Sequence, residues 1–159
     1  MIHYKLGDLL ESNCDYICHQ VNCQGVMRSG IAKQIREKWP EVYDVYKQHT
    51  VLAGCITSKE LLGTIDVVKI NYRSDRYVIN MYSQAEYGYD GSRFTSYDAF
   101  AEALEEIRKA VPIGKSIGFP KNIGCGLGGG NWDIVSAMIE AVLGRTHNVY
   151  IYEPPMVNP

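Results

Sequence analysis

Apolar positions in this chain switch repeatedly between a two-residue and a 3.6-residue period, which predicts alternating strands and helices. Residues 2–5 read as a short first strand, followed by Gly7-Asp8-Leu9-Leu10. Residues 15–21 are mostly apolar, the pattern of a buried strand, and they empty into the polar turn Asn22-Cys23-Gln24-Gly25-Val26-Met27-Arg28-Ser29-Gly30. From Gly30 to Lys38 the spacing is helical, with Ile31, Ile35 and Trp39 on one face and Ser29 as the expected cap. Pro40 ends that helix and starts another turn of helix, where Val42, Tyr43 and Tyr46 share a side.

The middle reads as β-rich. Residues 51–57, 65–71 and 77–83 carry β-branched or aromatic side chains between turn signals and are expected as strands. Residues 84–95 read as a long surface loop. Thr95-Ser96-Tyr97-Asp98 resembles a capping box for a helix to about Ala110, with Phe100, Leu104, Ile107 and Val111 as its core stripe. A strand at Ser116–Pro120, a glycine loop, a helix at Trp132–Leu143 and a last strand at Asn148–Glu153 follow. This order predicts an α/β fold, a three-layer α/β/α sandwich with a mixed central sheet. Residues 1–153 are expected to form one domain, with 154–159 an irregular proline-rich tail.

Composition narrows the function classes. A chain of 159 residues, 46% hydrophobic and 21% charged, has the make-up of an ordinary soluble globule. Its net charge of −2 gives no support for a protein that grips nucleic acid through phosphate neutralisation. No apolar run is long enough to span a membrane, and Met1-Ile2-His3-Tyr4-Lys5 contains no apolar signal core. Five cysteines, an odd number, then read as free thiols in a reducing cytoplasm, the expected location. Cys14, Cys18, His19 and Cys23 lie close together, but their spacings match no paired zinc knuckle, so no metal is expected.

Chemistry concentrates in two glycine-bearing loops, each after an apolar strand and before a helix. Five glycines fall between Gly124 and Gly130. Glycine lets the backbone approach a ligand and adopt positive φ, and free N–H groups at a helix start attract an anion. In such sheets ligands collect beyond the strand C-termini. The loops 22–30 and 122–130 are therefore expected to face each other across one crevice, which fits a pyrophosphate better than a single phosphate. A literal GxGxxG is present as Gly124, Gly126 and Gly129, but only one helix, one strand and a short tail follow it. The dinucleotide fingerprint belongs to a first βαβ unit with a later acidic residue, so nicotinamide redox chemistry is not favoured. The loop also lacks the Lys-Ser/Thr ending of a P-loop.

Gly7-Asp8-Leu9-Leu10, Cys18-His19-Gln20-Val21-Asn22-Cys23-Gln24-Gly25, Ser29-Gly30-Ile31-Ala32 and Ile123-Gly124-Cys125-Gly126-Leu127 resemble the macro domain family in order and spacing. The resemblance reaches Glu153 and is strongest to the branch of terminal-ADP-ribose protein glycohydrolases and yeast-type ADP-ribose-1″-phosphate phosphatases. It implies a site for ADP-ribose or a derivative, ADP-ribosylated macromolecules as further partners, and no cofactor or metal. Asp8 and Leu9 would then lie at adenine, with Tyr152 beside it, and Asn22 at the distal ribose. Ser29, Gly30 and Ile31 would give backbone N–H groups to one side of the pyrophosphate, and Gly124, Cys125, Gly126, Leu127 and Gly128 would line the other. His19 matches a histidine of the phosphatase-like members and becomes the candidate general acid or base at the distal ribose. Gln84 and Gly128 fall where glycohydrolase members carry a catalytic lysine and an aspartate, and neither can do that work. The implied activity is hydrolysis at the distal ribose. A non-catalytic reader of ADP-ribosylated partners is the alternative, and an unrelated nucleotide enzyme using the same cradles a second rival.

Overall fold

The computed structural model describes all residues except 55–57, 71–72, 87, 89 and 156–159. The strand β2 (Tyr16–Asn22) is buried nearly throughout because both of its faces are covered. Tyr16 and Cys18 pack on one side with helices α3 (Tyr97–Ala110) and α4 (Trp132–Leu143). Ile17 and Val21 point the other way, toward α1 (Gly30–Lys38) and α2 (Pro40–Gly54). The period-2 alternation of a strand thus feeds two cores from one segment. The helical layers on either side make a three-layer α/β/α sandwich.

Among the described residues the sheet also contains β1 (Ile2–Leu6), β3 (Ile65–Lys69), β4 (Tyr77–Gln84), β5 (Ser116–Pro120) and β6 (Asn148–Glu153), in the order β1-β6-β5-β2-β4-β3. All pairings are parallel except β3 with β4, so the sheet is mixed. β2 and β5 pair only through Tyr16–Ile117 and Ile17–Gly118. Beyond that point the two central strands part, and the loops that follow them stand on either side of the split. Strand order reverses there, which is where open α/β sheets bind ligands.

Two local expectations change. Residues 51–54, expected to begin a strand, continue α2 to Gly54, and the rest of that segment, with Cys55, lies outside the described residues. Val42, Tyr46 and Thr50 recur at i, i+4 and i+8 and are all buried, so the helical stripe carries the chain past the β-branched run. Val51 and Leu52 are left exposed. At α3 the cap is Ser96, whose side chain accepts from the Ala99 N–H at 3.2 Å, with no reciprocal carboxylate. Thr95 is thereby freed for another partner, described below. Ser29 caps α1 through backbone geometry alone, without a side-chain bond.

Candidate functional site

A cleft of about 680 Å³ opens over the split between β2 and β5. One wall is the start of α1, where the first N–H groups of a helix have no intrahelical acceptor. The facing wall is the loop after β5. There Cys125 gives its N–H to the Asn122 carbonyl at 2.8 Å, Gly129 to Gly126 at 3.0 Å and Gly130 to Gly124 at 2.8 Å. These internal bonds fold the loop so that the N–H groups of Gly124, Gly126, Leu127 and Gly128 have no backbone acceptor among the described residues. Gly124 and Gly129 both sit at φ +73°, which side chains rarely adopt.

The two ends of the cleft differ. At one end Asp8 accepts from the Leu10 N–H at 2.9 Å and holds the turn Leu9–Glu11. Tyr152 stands beside Gly7, where an added Cβ would touch its ring at 3.8 Å, and Pro154 and Pro155 continue the same wall. At the other end Asn22 organises the first loop. Its Oδ1 accepts from the Gln24 N–H at 2.9 Å and faces the Val26 N–H at 3.4 Å, while its Nδ2 donates to the Val26 carbonyl at 2.9 Å. Tyr46, fully buried on α2, accepts from the Val26 N–H at 3.0 Å. Its hydroxyl lies 2.6 Å from Asn22 Oδ1 and 2.8 Å from the Asn22 carbonyl, and donates there. Arg28 lines the cleft, and no acidic side chain pairs with it among the described residues.

No model of a known protein family matches the chain. It is 28% identical to an uncharacterized 17.5 kDa protein of Enterobacteria phage T4, across 99% of each chain. It is 29% identical to an ADP-ribose 1″-phosphate phosphatase of Scheffersomyces stipitis, over 88% of this chain and 94% of that protein. It is 27% identical to a DNA ADP-ribosyl glycohydrolase of Mycobacterium tuberculosis, over 97% of this chain but only 42% of that longer protein. Among solved structures, the macrodomain of M. tuberculosis DarG superposes with a TM-score of 0.79 at 25% identity, covering 98% of this chain and 99% of that one. The macrodomain of Thermus aquaticus DarG gives 0.77, also at 25% identity, with coverage of 97% and 99%. The chain has the fold of a macro domain.

The residues singled out from sequence line this cleft, except for two. Cys125 does not line it, because its N–H is used inside the loop and its thiol donates to the Ile123 carbonyl at 3.3 Å. His19 does not line it either. It is fully buried, and its Nε2 lies 2.6 Å from Asn80 Oδ1. Asn80 Nδ2 in turn donates to Asp66 Oδ2 at 3.1 Å, which fixes the amide and makes His19 Nε2 the donor. Burial pulls the His19 pKa down to about 4, although the Asn80 bond and the Asp66 charge oppose the fall. The neutral ring thus sits on β2, outside the lining of the cleft.

A second polar group was missed. Gln20 lines the cleft and is hydrogen-bonded to Ser83, Gln84 and Thr95, joining β2, β4 and the segment before α3. An added Cβ at Gly128 would come within 2.6 Å of Thr95 Oγ1 and 3.0 Å of Gln20 Nε2, so this network fills the space a side chain there would need. The signal in the sequence was a glutamine inside a mostly apolar strand that also carries His19 and Asn22. Among the described residues no group of His, Cys, Asp and Glu could hold a metal ion, and no helix is long and apolar enough to cross a membrane.

Proposed function

We propose that this macro domain binds ADP-ribose or a derivative in the cleft and hydrolyses a bond at the distal ribose. The observation that carries the reading is the pair of facing N–H sets. The start of α1 supplies one and Gly124, Gly126, Leu127 and Gly128 the other, both lining one cleft. A diphosphate is the group that needs donors on two sides. Tyr152, Gly7 and Asp8 form an apolar ledge with a carboxylate, suited to a purine carrying an amino group. Asn22 retains one amide N–H for a sugar oxygen. Similarity to an ADP-ribose 1″-phosphate phosphatase and to a DNA ADP-ribosyl glycohydrolase supports turnover over simple reading, and makes ADP-ribosylated macromolecules candidate partners. Water is the nucleophile in this reading, because Gln84 is an amide and Gly128 has no side chain.

Calorimetry with ADP-ribose tests the binding, and release of phosphate from ADP-ribose-1″-phosphate or of ADP-ribose from ADP-ribosylated DNA tests the turnover. Saturable heat with ADP-ribose and turnover of at least one substrate are expected. Absence of heat would sink the binding, and binding without either turnover would make the domain a reader.

A further inference from the structure

The orientation of two amides at the distal end of the cleft is fixed by groups that have no choice of role. The Gly124 carbonyl can only accept, and Thr95 Oγ1 donates to it at 2.8 Å. With its proton committed, Thr95 offers lone pairs to Gln20, whose Nε2 donates at 2.8 Å. Gln20 Oε1 correspondingly faces Ser83, whose hydroxyl donates at 2.7 Å. The remaining Nε2 hydrogen of Gln20 goes to Gln84 Oε1 at 2.9 Å. Gln84 therefore has its oxygen bound to Gln20 and its NH2 turned away from it, and Gln84 is among the residues that line the cleft.

Asn22 is the register partner of Gln84 on the neighbouring strand. Its amide is polarised the same way, since the Gln24 and Val26 N–H groups can only donate and take up Oδ1. Two adjacent amides thus keep their oxygens bound within the protein, and each retains N–H hydrogens that no oxygen of its own network takes up, Asn22 giving one of its two to the Val26 carbonyl. Arg28, without an acidic partner among the described residues, lines the same cleft.

We propose that Gln84 is a specificity residue of this site, its amide turned by Thr95 and Gln20 so that a donor faces the distal group of the ligand and selects one that only accepts hydrogen bonds, a phosphoryl group. A sugar hydroxyl or a protonated amine gains less there, because it also brings hydrogens that need an acceptor. The inference rests on the ADP-ribose reading above. Thr95 acts through Gln20 and is a positioning residue.

The test compares the dissociation constants of ADP-ribose and of an ADP-ribose analogue with a methylene phosphonate on the distal anomeric carbon, which cannot be hydrolysed. The wild-type protein is expected to favour the analogue by on the order of tenfold, the size of one or two charge-assisted hydrogen bonds. Gln84→Glu keeps the bond from Gln20 and replaces the outward donor by a charged acceptor. It is expected to abolish that preference while ADP-ribose still binds. Thr95→Val frees Gln20 to rotate and is expected to shrink the ratio of the two constants, whereas a merely structural loss would weaken both ligands alike. Equal affinities in the wild type, or a Gln84→Glu variant that weakens both ligands equally, would overturn the proposal and leave the ADP-ribose reading standing. Failure of both ligands to bind the wild type would overturn the two together.

Discussion

On β2, His19 is held neutral because no charge can be solvated where it lies, and that makes it a pH-dependent element of stability. Its pKa is about 4 in the folded protein against an ordinary 6.5. Between those values the unfolded chain takes up a proton that the folded chain refuses, so stability is full above pH 6.5 and falls as pH drops toward 4. The loss across that window is about 3 kcal/mol. Denaturant titrations at pH 7 and pH 4.5 should show it. His19→Gln, which keeps a donor for Asn80, should flatten the dependence, and an unchanged slope would mean that His19 is not the group responsible. Tyr46 makes a different contribution, because its hydroxyl joins α2 to the first loop. Tyr46→Phe should cost about 1–2 kcal/mol of stability, because the Val26 N–H and the Asn22 oxygens each lose their hydrogen bond with its hydroxyl. It should also weaken ADP-ribose binding, measured by calorimetry.

At the scale of elements, the loop after β5 depends on glycine for space as well as for conformation. A Cβ at Gly128 would meet Thr95 Oγ1 at 2.6 Å and the Gly124 carbonyl at 2.8 Å, and backbone cannot yield as a flexible side chain can. Gly128→Ala should therefore displace the loop and lower ADP-ribose affinity by on the order of tenfold or more, as expected when pre-organised donors lose their geometry. Its far-ultraviolet circular dichroism should remain that of the parent, since β5 and α4 pack through residues outside the loop. Loss of the helical and sheet signal would show instead that the loop supports the whole fold. Most elements were legible from the sequence because their periods are local. Ser116–Pro120, Trp132–Leu143 and Asn148–Glu153 have the bounds that their patterns predict. The exception, residues 51–54, shows a β-branched run overridden by the helix it extends.

For the molecule as a whole, the cleft lies between strands that separate after two paired residues and is walled by loops from distant parts of the chain. A ligand clamped between those loops should stabilise the folded state by about 2.7 kcal/mol at a hundred times its dissociation constant. Thermal unfolding with and without ADP-ribose checks this, and hydrogen exchange should slow in residues 22–30 and 122–130 together. Protection confined to one loop would contradict a two-sided site.

The sequence by itself determined where the helices and most strands lie, and where the backbone is free to approach a phosphate, because periodicity and glycine act through near neighbours. It also placed Asp8, Asn22, Gly30 and Gly126 in or beside the segments that follow strands, where parallel sheets bring loops together. Tertiary structure decided the rest. Gln20 reaches Gln84 and Thr95 across 64 and 75 positions of chain, so no local pattern shows which way those amides point. The environment of His19 is equally remote in sequence, since Asn80 lies 61 positions away on the neighbouring strand. A side chain's type is written in the sequence, but its protonation and the direction of its hydrogen bonds come from what the fold packs against it.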